Sequence, residues 1–244
     1  PYLDDAYPAF YQKKFDFRHD YLGGPAKRPD RAERCTRLVM RKYAKEIDYE
    51  LVDRVFPGFP EKKFVALAEK VRQAIISGIE SNQWLSKKGK QGAIEKMKTA
   101  ELMLVKPHND KEWDFNPLLK YDLQKPIANS KKLAKALNDK KIKELSEKRY
   151  KRRWLMGPLT VNAYYVPSAN QFVMPIGILQ YPFYDPKLPE FVNLGAVGAV
   201  IGHELGHGID DKGAKYNSEG RLDQWMPDSD LKKSSSSTSI ELLS

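Results

Sequence analysis

The sequence predicts a mainly helical α+β chain, in which a helical region leads into a smaller part that combines short strands with one apolar helix. Three observations carry this. Between residues 61 and 82, Phe64, Leu67, Ala68, Val71, Ile75 and Ile79 recur every three or four positions, the period of a helix that buries one face. Near Arg153 the character changes: stretches 159–166 and 171–175 are β-branched and aromatic, and Pro167-Ser168-Ala169-Asn170 between them reads as a turn. After a proline-rich loop at 182–189, the apolar run 194–201 continues into His203.

The elements follow in chain order. Residues 1–29 mix aromatics with Pro and Gly and read as an arm or loop. Asp30 can cap a helix over 31–47, with Leu38, Val39 and Tyr43 on one side. Phe56-Pro57-Gly58-Phe59-Pro60 is a breaker before the 61–82 helix. A further helix is expected over 90–104 with Ile94 and Met97 inside, then a polar loop at 107–117, then two charged helices at 129–137 and 140–150. Segments 159–166 and 171–175 form a hairpin or two short strands. The stretch opening at Asn193 is a helix despite Gly195, Gly198, Gly202 and Gly206; each glycine costs up to about 1 kcal/mol of helix propensity, so tertiary packing must hold it. The serine run 234–237 reads as a mobile tail. The expected organisation is a helical region 1–153, a mixed strand-and-helix part 154–233 and a low-complexity tail 234–244.

Composition narrows the classes. A chain of 244 residues with 41% apolar and 30% charged residues is too apolar for disorder and long enough to bury a core. No window offers the roughly 18 apolar residues of a membrane span, and no basic stretch followed by an apolar run opens the chain. The single Cys35 excludes an internal disulfide framework and a multi-cysteine zinc site, but leaves the compartment open. The net charge of +10 is uneven: residues 1–150 carry 33 basic and 22 acidic groups, residues 151–244 carry 9 and 10. A basic stretch can mark nucleic-acid binding. Here Lys and Glu are interspersed with no recognition motif beside them, which favours solvated helix faces and no nucleic-acid partner.

The chemistry is concentrated in Ile201-Gly202-His203-Glu204-Leu205-Gly206-His207, an H-E-x-x-H motif. On a helix, positions i and i+4 lie 40° apart, so His203 and His207 point the same way and can share one zinc ion. Glu204 lies about 100° round the helix, placed to take a proton from water activated by that ion. The alternative is a pair of satisfied core histidines. Against it, two of the four histidines fall in one motif at the end of an apolar helix, where unpartnered polar groups are costly. His19 and His108 read as surface residues. A third ligand is not evident. Asp210 and Gly213 exclude the pattern that continues x-x-G-x-x-H. The downstream carboxylates Glu219, Asp223, Asp228, Asp230 and Glu241 stay open, and Gly220 after Asn217-Ser218 makes the Glu219–Asp223 spacing a turn rather than a helix.

At these residues the chain resembles the neprilysin and endothelin-converting-enzyme family of zinc metallopeptidases. Asn162-Ala163-Tyr164-Tyr165 is similar to the family's N-A-Y-Y strand. Ile178-Leu179-Gln180 with Pro182-Phe183-Tyr184 resembles its I-L-Q-x-P-F-[FY] segment. VIGHELGHGIDDKG over 200–213 resembles its V-I-G-H-E-x-x-H-G-F-D-D-x-G block, with Ile209 for the usual Phe, and Gly220 and Trp225 fit the family's next segment. The resemblance implies a zincin-like catalytic half with an active-site helix and a small edge-strand sheet. It implies a zinc-dependent endopeptidase acting on short peptides, with Zn2+ held by His203 and His207. Glu204 is then the catalytic base and Asp210 orients a ligand. Asn162 and Ala163 lie along an edge strand and bind the substrate backbone. The family's third ligand, from a Glu in a downstream E-x-x-x-D helix, has no counterpart in the sequence after His207, and the sequence after Lys233 departs from the family. The expectation is therefore an incomplete form with reduced or no activity, or alternatively a non-catalytic peptide- or partner-binding fragment. Cys35 matches a family disulfide cysteine, which implies an extracellular or cell-surface parent. Membrane contact would come only through an N-terminal anchor outside this sequence.

Overall fold

The computed structural model describes residues 7–147 and 152–236. The chain divides into two compact units, one formed by Pro1–Ile47 with Phe115–Tyr150, the other by Asp48–Asp114 with Lys151–Ser244. Composition changes near Arg153, whereas compactness groups 48–114 with the C-terminal part.

The first unit is helical. The stretch expected as an arm contains helix α1 (Pro8–Leu22), which starts on Pro8 and stops at Gly23, where φ is +62° and the N–H bonds back to the Arg18 carbonyl. None of its residues is buried, so the spacing of apolar residues gave no helical signal. Helix α2 (Arg31–Lys42) is capped by Asp30, whose carboxylate accepts the Glu33 N–H at 2.8 Å. It ends at Tyr43 instead of running to residue 47, and α3 (Ala44–Val55) follows. The two charged helices expected at 129–137 and 140–150 are one continuous helix, α7 (Pro126–Ser146), with only Leu133 buried; residues 148–150 lie outside the described ones.

The second unit holds the core. Helix α4 (Glu61–Ser81) buries Phe64, Leu67, Ala68, Ile75, Ile76 and Ile79, as its periodicity requires. It packs against α5 (Lys87–Thr99), which starts at Ser86 and buries Ala93, Lys96 and Met97. The helix expected to reach residue 104 stops at Ala100, and Glu101–Val105 is strand β1. Leu102, Met103 and Leu104 carry helix propensity, but parallel pairing with β3 (Gln171–Pro175) overrides it. The four-residue helix α6 (Asp110–Trp113) interrupts the 107–117 loop. Strand β2 (Tyr164–Val166) pairs antiparallel with β3 across the expected turn, giving the order β1-β3-β2. The first hairpin strand is thus three residues long, not eight. β3 is buried throughout, as a central strand covered on both faces must be.

The apolar helix is two helices. α8 (Glu190–Gly195) ends where Ala196 leaves helical geometry (φ −98°, ψ −89°), and α9 (Val197–Gly206) starts afresh. The buried Asn193 side chain bonds both the N–H and the carbonyl of Asp185, fastening the proline-rich loop to α8. α9 buries Val197, Gly198, Ile201 and Leu205 and packs on α4 and β2. A last helix, α10 (Asp228–Ser236), extends through part of the serine run. Among the described residues no helix is long and apolar enough to cross a membrane.

Candidate metal centre

The burial pattern of α9 fixes the direction of its functional side chains. Val197, Gly198, Ile201 and Leu205 define one face, and a 100° step per residue puts His203 and His207 on the opposite side, with Glu204 between the two. Exposure follows that order: His203 is exposed, His207 and Glu204 are partly buried, and Leu205 is buried. The two imidazole centroids lie 4.7 Å apart with the rings at 77°. The two rings are neighbours on an open side of the helix.

Chain reversal after α9 supplies a third group. Asp210 Oδ2 lies 2.8 Å from His207 Nδ1, while Asp210 Oδ1 accepts the N–H groups of Lys212 (2.9 Å) and Gly213 (2.7 Å). A carboxylate on Nδ1 favours a proton there and leaves the Nε2 lone pair available. Gly213 is required by close approach. A Cβ at this position would come closer than 3.0 Å to the backbone oxygens of His207 and Gly208.

Glu204 faces β2. The motif helix packs on this edge strand, and the backbone N–H of Tyr165 lies near the Glu204 carboxylate. Burial pushes the Glu204 carboxyl above the ordinary carboxylate range, against the pull of His207, His203 and the Tyr165 N–H. A raised pKa suits a proton acceptor that must later release its proton.

Asn162 and Ala163 immediately precede β2 and are not part of it, so the expected placement along the strand is corrected by two residues. The Asn162 side-chain oxygen accepts the Ala163 N–H at 2.9 Å, a local bond that competes with extending the strand. Asn162 is exposed and Ala163 is buried.

The other histidines stay apart from the pair. His108 Nε2 is 3.3 Å from a Glu61 carboxylate oxygen, and His19 is exposed with its ring beside the Gly24 carbonyl. The downstream carboxylates are engaged elsewhere: Asp230 with Ser86, Asp228 with Gln224, Asp223 with Asn217, and Glu219 with Arg221. Glu241 lies outside the described residues. Among the described residues no group of three or more His, Cys, Asp or Glu side chains is placed to hold a metal ion. As a donor set, two imidazoles suit zinc and account for two of the three protein ligands of a catalytic site.

Sequence reasoning missed Lys96. It is fully buried, and its Nζ donates to the Gly213 carbonyl at 2.6 Å. Trp225 Nε1 donates to the same oxygen at 3.2 Å. Burial pushes the Lys96 ammonium down to about 8, partly offset by the negative charge of Asp210. The signal was present: Ala93, Lys96, Met97 and Ala100 share a helical face, so a lysine occupied a core position.

Two sequence models described as Peptidase family M13 match the chain, one over residues 162–240 and one over residues 1–107. The chain belongs to this family, which includes the neprilysin and endothelin-converting-enzyme relatives. It is 34% identical over 211 residues to endothelin-converting enzyme-like 1 of Rattus norvegicus, covering 84% of this chain and 27% of that protein. It is 31% identical over 197 residues to human neprilysin, covering 79% and 26%. In structure it is similar to the zinc metalloprotease Zmp1 of Mycobacterium tuberculosis, with a TM-score of 0.80 at 30% identity, over 92% of this chain and 33% of that one. The chain thus spans about a quarter of the length of the curated relatives it matches.

Proposed function

We propose that the chain carries part of the active site of a zinc-dependent endopeptidase for short peptides, with His203 and His207 as metal ligands, Glu204 as catalytic base and residues 154–233 as the catalytic part. The observation that carries this reading is the pairing of the two imidazoles, 4.7 Å apart beside a half-buried carboxylate, with Asp210 on His207 Nδ1. Zinc, when bound, supplies a Lewis acid that polarises a substrate carbonyl and lowers the pKa of water. Glu204 takes the proton of the attacking water and delivers it to the leaving amine. Asp210 orients His207 and holds its proton on Nδ1. A peptide added in extended form at Asn162 and Ala163 would lie along the residues that lead into β2, the outer strand on which the motif helix packs, so binding and chemistry share neighbouring backbone. The location proposed for the parent protein is extracellular or at the cell surface, as the Cys35 resemblance implies; Cys35 is free and exposed here.

With two firm ligands the chain should hold zinc weakly and turn over peptides slowly or not at all. The test is zinc uptake and cleavage of a fluorogenic short peptide by the wild type, His203→Ala and Glu204→Gln. Zinc uptake abolished in His203→Ala but kept in Glu204→Gln supports the reading. Full chelator-sensitive turnover would contradict the incomplete-site part of it. No zinc uptake would replace it with the second reading, a non-catalytic peptide binder, which the lack of a third ligand among the described residues favours.

A further inference from the structure

Lys96 is an expensive residue where it stands. Its side chain is fully buried between Ala93 and Met97 on the core face of α5, and an ammonium pays a desolvation penalty there that a methionine of similar length would not. Core filling alone therefore does not call for a lysine. What the ammonium does instead is hold one backbone oxygen. The Gly213 carbonyl receives three donors: the Tyr216 N–H of its own turn at 3.1 Å, and two side chains from elsewhere in the fold, Lys96 Nζ at 2.6 Å and Trp225 Nε1 at 3.2 Å. The N–H of the same glycine donates to Asp210 Oδ1 at 2.7 Å, and Asp210 Oδ2 reaches His207 Nδ1 at 2.8 Å. Gly213 cannot carry a side chain of its own, because a Cβ would collide with the backbone at the end of α9. The turn that presents Asp210 has its own backbone bonds, from Ala214 N–H to the Asp210 carbonyl and from Tyr216 N–H to the Gly213 carbonyl; Lys96 and Trp225 are the side chains that fasten it to the rest of the core. The ammonium is also close enough to Asp210 for the two charges to interact. A second tie runs from the same end of α5: Asn170 Nδ2 donates to the Lys96 carbonyl at 3.1 Å, and the Tyr165 hydroxyl donates to Asn170 Oδ1, so α5 braces both the reversal after α9 and the edge strand on which α9 packs.

From this contiguous set of bonds we infer that Lys96 is a positioning residue for the imidazole pair, acting on His207 through the Gly213 backbone and the Asp210 carboxylate. The inference rests on the reading of His203 and His207 as metal ligands, and its test separates the two. The full chain is prepared as wild type, Lys96→Met, Asp210→Asn and the double variant. Zinc affinity is measured by competition with a chromophoric chelator, and the His207 tautomer is read in the metal-free chain by 15N NMR with the imidazole neutral. Lys96→Met should weaken zinc binding about tenfold, the lower end for groups that orient a ligand. It should also shift His207 away from the Nδ1–H form. Added to Asp210→Asn it should cause no further loss, since both act through one path. A folded Lys96→Met chain with unchanged zinc affinity and an unchanged tautomer, or losses that simply add in the double variant, would overturn the inference. If Lys96→Met does not fold, Trp225→Phe removes the second side-chain donor to the same oxygen. A smaller loss in the same direction supports the inference, and none overturns it. A wild-type chain that takes up no zinc sinks the metal reading instead, and the tautomer in the metal-free variants still decides the positioning role.

Discussion

Gly213→Ala is the most direct probe of how the site is held. The added methyl meets the carbonyl oxygens of His207 and Gly208 inside 3.0 Å, where ordinary contact begins at 3.4 Å. Both obstacles are backbone, one at the end of α9 and one in the reversal, so neither can rotate away. The turn must open until the methyl clears both oxygens and the Gly208 carbonyl carbon, at the expense of the Gly213–Asp210 and Lys96–Gly213 bonds. Overpacking of this kind costs about 1–3 kcal/mol, and here the upper part of that range applies because the atoms struck are rigid. The lower entropy of alanine in the unfolded chain returns about 0.4–1 kcal/mol. The expected net loss is about 2 kcal/mol, a fall in Tm of roughly 4–8 °C for a chain of this size. The assay is urea and thermal unfolding followed by far-UV circular dichroism. Gly78→Ala is the control: it lies inside α4 with nothing within 4 Å of its added Cβ, and it should stabilise by about 0.5–1 kcal/mol. A Gly213→Ala chain that melts at or above the wild type would refute the claim that close approach dictates glycine there.

Three further outcomes are expected. Asp230 is buried and accepts both the N–H (3.1 Å) and the hydroxyl (2.7 Å) of the partly buried Ser86, the N-cap of α5, so Asp230→Ala should cost about 2 kcal/mol in urea unfolding by removing both bonds. For the buried Glu112, desolvation alone would raise its pKa, but hydrogen bonds from Arg152 and the His108 N–H, with the nearby positive charge, hold it below the usual range. That stabilisation is present above the unfolded carboxylate pKa and is lost as pH falls through the folded one; Arg152→Met should lose about 3 kcal/mol at pH 7, and the gap to wild type should narrow in acid titrations of stability. Lys96 has the opposite sign: its folded pKa of about 8 lies below the unfolded 10.5, so the unfolded chain holds the extra proton between those values and stability should rise with pH there, by roughly 3 kcal/mol relative to Lys96→Met.

Where the core face of a helix was wide and regular, the sequence read correctly. α4 shows this: its six buried residues are spaced by the helical period, and the breaker before it sits where the chain turns. The hairpin turn at 167–170 was equally plain, because Pro, Ser and Asn mark it chemically. Misreadings cluster where the deciding partner is distant in sequence. Residues 101–105 look helical in isolation and become a strand because β3, seventy residues away, offers a parallel ladder. α1 buries nothing, so no periodic signal marked it. The break at Ala196 lies in an unbroken apolar run.

The site divides along the same line. The sequence by itself determined that His203, Glu204 and His207 ride one turn of helix, because a spacing of four residues is a fixed angle whatever surrounds it. It also exposed the family, through blocks too long to arise by chance. Only the tertiary structure decided what holds those groups still: β2 packed against α9, and Lys96 with Trp225 on the Gly213 carbonyl of the turn that carries Asp210. Lys96 and Gly213 are 117 positions apart in sequence. A helical period constrains neighbours within a turn, whereas a hydrogen bond between remote segments depends on how the whole core has packed.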